Sequence, residues 1–157
     1  MDPPEPSPDN DYLAHHIQLL RNRYRQLLHR DLVDPNLGAK AAAKALYTAD
    51  FVLVSHDTSA DPVFNYGNLT ALRLFEMSWA DFTSLPSRQS AEPPNQQERS
   101  QLLRLVSTQG FIENYAGIRI SKTGKKFWIK DVTVWNLIDA TGKYRGQAAV
   151  YSHWESL

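Results

Sequence analysis

The chain has 157 residues, 42% of them hydrophobic, which is enough for one domain with a proper core and too little for two large ones. Seventeen Lys and Arg cancel seventeen Asp and Glu, so no global field gathers nucleic acid or an anionic membrane by long-range attraction. Cysteine is absent, which excludes disulfides, thiolate metal sites, cysteine nucleophiles and covalent flavin–thiol adducts, and suits a reducing cytoplasmic setting.

The first eleven residues, MDPPEPSPDND, hold four prolines and four acids with no Lys or Arg. They read as a flexible tail, with neither the basic n-region nor the apolar h-region of a secretory leader. No later stretch is an uninterrupted apolar run of membrane-spanning length, so a soluble protein is expected. Asn10 or Asp11 then caps a helix over 12–32, in which Leu13, Ile17, Leu20, Tyr24 and Leu27 recur at alternating four- and three-residue steps. This seam has two readings: it packs on its own domain, or it pairs with a second copy as a homodimer contact. Two heptads are short for a free-standing coiled coil, so dimerisation would need help from the main domain. After Asp34 and Pro35 comes an alanine- and lysine-rich helix, and 12–45 reads as a helical extension ahead of a domain over 46–157.

FVLVS, 51–55, is a short buried-strand run, and the turn-formers of HDTSADP reverse the chain into a second strand, VFNY. Gly67 permits a tight change of direction, and Asn68 caps a helix whose Leu69, Leu72 and Phe75 face inward. Ser78 with Asp81 starts another short helix that Pro86 ends. The proline-rich segment 86–95 is a loop, and Asn95 caps a helix with Leu102, Leu103 and Val106 inward and Gly110 as its stop. Three β-type runs follow, 111–121, 126–138 and 144–154, joined by KTGK and DATGK. Such short turns leave room only for an antiparallel meander.

The order strand, strand, helices, then three strands resembles the PAS layout: an α+β fold in which a five-stranded antiparallel sheet carries short helices on one face. The motifs SHDTSADPVFNYGN, ALRLFE, PSRQSAEP, GIRIS and VWNLIDATGKYRGQAA are similar to those of the MEKHLA domain, a PAS-related module, over roughly 46–154. That resemblance implies a sensory or regulatory module with partner interaction and dimer control, and brings no catalytic residues. No homeodomain or long zipper lies in the sequence, so the DNA-binding role of plant proteins that carry this domain is not expected here.

Ser55, His56 and Asp57 are the residue types of a hydrolytic triad, but consecutive residues do not converge on one reacting atom. A calcium loop starting at Asp57 would need an acid at its twelfth position, where Asn68 stands. His15 and His16 are adjacent on a helix and point about 100° apart, so no metal site is nominated. Lys122, Lys125 and Lys126 with Arg119 form a basic hairpin tip, read as solvated charge rather than a nucleic-acid contact.

Strict alternation along 126–138 places Phe127, Ile129, Asp131, Thr133, Trp135 and Leu137 on one face. If that face lines a cavity, Asp131, Thr133 and Trp135 meet a small noncovalent ligand, with Gln147 and Tyr151 completing the wall. The plainer reading is a packed core in which Asp131 pairs with a cation such as Arg119. Three function classes follow: a small-molecule sensor, an interaction module, and a small enzyme or metabolite carrier. The enzyme stands last, because Asp131 has no obvious acid–base partner.

Overall fold

Runs rich in β-branched and aromatic residues build one antiparallel sheet in the computed structural model, which describes residues 3–157. Its strands are β1 (Val52–His56), β2 (Phe64–Gly67), β3 (Phe111–Ile120), β4 (Lys126–Ile138), β5 (Tyr144–Tyr151) and β6 (His153–Ser156). They lie in the order β2-β1-β5-β4-β3, with β6 beside β4. The sheet therefore has six strands where five are expected, because the run 144–154 breaks at Ser152. β5 pairs with β4 from Thr133↔Val150 onward, and β6 pairs with its first half, ending at Lys130↔His153.

That break belongs to an interruption crossing three strands. In β3 an extra residue sits between Ile112 and Tyr115, in β4 another between Ile129 and Val132, and both register shifts are bulges. Asn114 and Asp131 take left-handed backbone angles there, φ 58° and 52°. A bulge inserts one unpaired residue, and because side chains alternate with period two, every residue beyond it changes face. Strict alternation along β4 thus fails at Asp131. Phe127 and Ile129 share the inner face with Val132, Val134 and Asn136, while Thr133, Trp135 and Leu137 turn to the outer face.

The outer face is covered by helix α1 (Ala14–Leu28), whose Ile17, Leu20 and Tyr24 are buried. The Tyr24 ring meets Trp135 edge-on at 4.9 Å, and the Trp135 indole N–H donates to the Leu20 carbonyl at 3.2 Å. The expected dimer seam is corrected accordingly: Ile17, Leu20 and Tyr24 lie in the core of their own domain, with Leu13 and Leu27 half-buried against it. The spacing records an apolar stripe, and the apolar outer face of the same chain satisfies it. Helix α2 (Ala39–Tyr47) packs beside α1 through Ala42, Ala43 and Leu46, and buried Arg21 locks the connection, bonding Asp31 at 2.9 Å and the Leu37 carbonyl at 3.0 Å. The helices of 12–45 are thus part of one core with the sheet.

Asp11, Tyr12 and Leu13 all have positive φ, so α1 starts at Ala14 rather than at 12. Of the expected flexible tail, Met1 and Asp2 lie outside the described residues. The part that is described runs against the domain: the Pro3 carbonyl accepts the Trp79 indole N–H at 2.9 Å, and Pro6 is buried.

The remaining elements are helices α3 (Leu69–Phe75), α4 (Trp79–Phe82) and α5 (Pro93–Gln109), with a 3₁₀ turn at Ser87–Ser90. Asn68 and Ser78 cap α3 and α4 as read from the sequence, whereas α5 starts at Pro93, two residues before the expected Asn95 cap. Asn68 does more than cap. Fully buried, it accepts from the amides of Ala71 (3.1 Å) and Leu53 (3.2 Å) and donates to the carbonyls of Leu46 (3.0 Å) and Phe51 (2.8 Å). One amide side chain thereby ties α2, β1 and α3 together. Gly67 precedes it because an added Cβ would lie 2.6 Å from the Phe82 ring.

Candidate functional site: a polar cavity behind the sheet

Between the inner face of the sheet and α5 lies a cavity of ≈ 60 Å³. Val54, Phe64, Phe75, Leu102, Ile129 and Val132 give it an apolar wall. Into that wall project His56, Ser90, Arg99, Tyr115, Arg119 and Gln147. Apolar walls with a few convergent polar groups are the composition of small-ligand sites.

Arg99 comes from α5, on the same stripe as Leu102 and Val106, and is only 8% exposed. Among the described residues its guanidinium has neither a hydrogen-bond acceptor nor a carboxylate partner. Burial, and then the nearby charge of Arg119, pull its pKa down to about 9, with Tyr115 and Glu98 opposing. Arg119 reaches the cavity from β3 and is 6% exposed. It donates to the Tyr115 hydroxyl at 3.1 Å and to the Ile118 carbonyl at 2.9 Å. Tyr115 in turn donates to Glu98 at 2.8 Å, so its hydroxyl links a buried cation to an exposed acid. Gly117 between them leaves room for this pair, since a Cβ there would push against the Tyr115 hydroxyl and the Arg119 guanidinium.

His56 ends β1 and is buried, its Nδ1 3.0 Å from the Ser87 hydroxyl. Burial, helped by the Arg99 charge and offset by Asp57 and Gln147, lowers its pKa to about 4, so the ring is neutral near pH 7. β5 passes close beside it, and only glycine fits at 146, where φ is 123° and a Cβ would strike the His56 carbonyl. Gln147 donates to the Leu103 carbonyl at 3.2 Å and to the Asn136 side chain at 3.0 Å, and Asn136 donates to the Val106 carbonyl at 2.9 Å. These bonds stitch the sheet to α5. Burial pushes the Tyr151 hydroxyl well above the usual phenol range.

Of the five ligand residues expected from the sequence, Gln147 and Tyr151 line this cavity. Asp131, Thr133 and Trp135 do not, because the bulge turns Thr133 and Trp135 to the α1 side and holds the Asp131 carboxylate in solvent, 70% exposed and 3.9 Å from His153. Asp131 therefore has no contact with Arg119. Ser55, His56 and Asp57 diverge: Ser55 contacts His16 at 2.9 Å on the α1 side, His56 enters the cavity, and Asp57 accepts from the backbone of Ser59 and Val63 in its own turn. At the hairpin tip Lys122 pairs with Asp81 at 2.7 Å and Lys125 with Glu76 at 3.7 Å. Arg119, grouped with that tip on sequence, is inside.

Sequence reasoning misses Arg99 altogether, and considers His56 only as a triad residue type and Arg119 only as a hairpin-tip charge or a partner for Asp131. A signal for Arg99 existed, since it lies three residues before Leu102 and seven before Val106 on the inward stripe of α5. Arg119 shares the inner face of β3 with Tyr115, four residues earlier.

The sequence profile of the MEKHLA domain matches residues 14–156. The chain belongs to the MEKHLA domain family. The family unit thus takes in α1 and α2, and extends further N-terminally than the 46–154 read from motifs. No curated protein matches the chain in sequence. Among solved structures, the PAS domain of a protein from Colwellia psychrerythraea is similar with TM-score 0.62 and 17% identity, covering 75% of this chain and 95% of that one. A light-oxygen-voltage domain studied with a flavin analogue is similar with TM-score 0.59 and 20% identity, covering 74% of this chain and 84% of that one. The light-state dimer of the fungal blue-light photoreceptor Vivid gives TM-score 0.55 and 16% identity, covering 82% and 90%. These likenesses establish that this MEKHLA chain has the PAS-type α+β fold.

Flavin, named with one of those structures, does not fit here. A cavity of ≈ 60 Å³ is far below the roughly 300–1,000 Å³ of pockets for drug-sized or tricyclic ligands. Two guanidiniums also enter it, and the sequence has no cysteine for a thiol adduct. Among the described residues no helix is long and apolar enough to cross a membrane, and no three His, Asp or Glu side chains converge.

Proposed function

We propose that this MEKHLA protein is a non-enzymatic sensory or regulatory module of the cytoplasm, which passes the state of its inner cavity to a protein partner or a second copy of itself. The observation that carries this reading is the bond chain from Gln147 through Asn136 to the carbonyls of α5. A molecule entering the cavity meets α5 on one side and β4 and β5 on the other, so occupancy biases how helix and sheet sit together. Against catalysis stands the arrangement around His56: Ser87 contacts one ring nitrogen, and among the described residues no carboxylate bonds the other to orient it for proton transfer. Self-association must use a surface other than Ile17, Leu20 and Tyr24, which the domain itself consumes.

The test is amide NMR of the full chain against a panel of small fragments. Shifts clustered in α5, β4 and β5 support the reading, and a panel that perturbs none of them contradicts it. Light scattering over a range of concentrations tests self-association: a dimeric mass supports it, and a monomer throughout removes it while leaving contact with another protein.

A further inference from the structure

Among the described residues, the cavity is lined by two guanidiniums and no carboxylate. Arg99 and Arg119 are both more than nine-tenths buried and line the same cavity, and the charge of Arg119 disfavours that of Arg99. Arg119 spends part of its donor set on Tyr115 and Ile118. Arg99 spends none on any described residue. Glu98, whose charge reaches Arg99, is exposed and engaged from outside through Tyr115, and Asp57 is occupied in its turn. Buried charges in proteins are paired or neutralised, and a guanidinium offers five donors and no acceptor, so what completes this site is a group that only accepts. Size narrows it further: ≈ 60 Å³ is several times the roughly 10–15 Å³ that one water needs and far below the roughly 300–1,000 Å³ of pockets for drug-sized ligands, hence room for a species of a few heavy atoms.

The geometry points to the cavity as a receptor for a small planar oxyanion, a short carboxylate or its inorganic counterpart, clamped between Arg99 of α5 and Arg119 of β3. Planar oxyanions match the guanidinium fork and gain charge-assisted bonds from both sides. The apolar remainder of the wall, Val54, Phe64 and Ile129, lowers the local dielectric and strengthens those bonds. This inference rests on the sensory reading above and supplies its ligand class: binding draws α5 toward β3, whereas an empty site leaves two like charges facing each other.

The experiment is isothermal calorimetry on the full chain at constant ionic strength with sodium acetate, sodium nitrate and acetamide, the last having acetate's shape without its charge. Acetate or nitrate is expected to bind with one-to-one stoichiometry, the preferred one naming the source, and acetamide at least about tenfold more weakly. Arg99→Met should weaken the anion by at least about tenfold, while Arg104→Met, on the exposed side of α5, leaves it unchanged. In buffer free of both anions Arg99→Met should melt no lower than the parent chain, because an uncompensated buried charge has gone. Equal binding of acetamide and acetate overturns the anion inference while leaving a ligand-responsive cavity, and so does anion binding that survives Arg99→Met. Absence of binding by all three solutes also overturns it, and the fragment panel then decides separately whether the sensory reading stands. If Arg99→Met does not fold, the acetate–acetamide comparison on the parent chain still separates an anion site from a neutral one.

Discussion

The two faces of the sheet carry the same strands and opposite chemistry. Outside, Trp135 and Leu137 meet Ile17, Leu20 and Tyr24, and the one polar atom that Trp135 brings, its indole N–H, is spent on a helix carbonyl. Inside, the wall admits two arginines, a histidine and a glutamine around a small void. Burying apolar rings gains free energy for the fold, whereas burying guanidiniums without counter-charges costs it. Both faces bury apolar side chains in one core, and the inner face alone also buries two guanidiniums at a cost to stability.

Breaking the outer face should have the largest effect. Trp135→Ala removes the ring beneath Tyr24 and the added indole bond to the Leu20 carbonyl, for an expected loss of about 3–5 kcal/mol, read by urea unfolding. A loss under about 1 kcal/mol would mean that α1 does not seal this face.

Acid should weaken the inner face next. His56 has a folded pKa of about 4, below the ordinary 6.5. Between those values the unfolded chain binds a proton that the fold refuses, so stability is full above pH 6.5 and declines down to pH 4, by up to roughly 3 kcal/mol for this residue. Partly buried His16, lowered to about 4 by burial and by His15, acts in the same window from the outer side. His56→Gln should flatten part of the thermal-melt profile across that range, and an unchanged profile would show that His56 is charged in the fold.

Smaller again is Gln147→Ala, which removes one of two side-chain donors from the Leu103 carbonyl, the Ser107 hydroxyl remaining, and leaves the Asn136 amide oxygen without its partner. About 1–2 kcal/mol is expected, with faster amide exchange in α5 as the sign that the stitch, rather than packing, was lost. The smallest effect belongs to the boundary between the two arrangements of β4. Asp131→Gly relieves a left-handed backbone at φ 52° and removes an exposed carboxylate, so stability should change by less than about 1 kcal/mol and rise if it moves. A large loss would give Asp131 a buried role that the bulge denies it.

Much of the architecture is legible in the chain because it is written in local chemistry. The Asn68 and Ser78 caps, the Gly110 stop and the two Thr-Gly turns each depend on residues within a few positions of one another. The candidate site is not, and one residue accounts for most of the difference. Alternation reads correctly from Phe127 to Ile129 and again from Val132 to Asn136, but the bulge at Asp131 reverses which face each half serves. Nothing local marks Asp131 as the extra residue, since aspartate is enriched among left-handed residues yet adopts that conformation at only a small share of its positions. The same limit applies to the α1 seam, whose spacing states that one stripe is apolar and leaves open which surface covers it. Arg99 is hidden for a different reason: a charge on an inward stripe looks like a surface residue until the partners around it are known.

The reversal of faces along β4 underlies both the apolar outer face and the charged inner one, and a crystal structure of the protein grown in sodium acetate tests it most directly. Trp135 is expected beneath α1, Asp131 in solvent on a bulge, and Arg99 and Arg119 turned into the cavity with density for one small anion between them. An uninterrupted β4 that carries Asp131, Thr133 and Trp135 into the cavity, with Arg99 swung out to solvent, would contradict it.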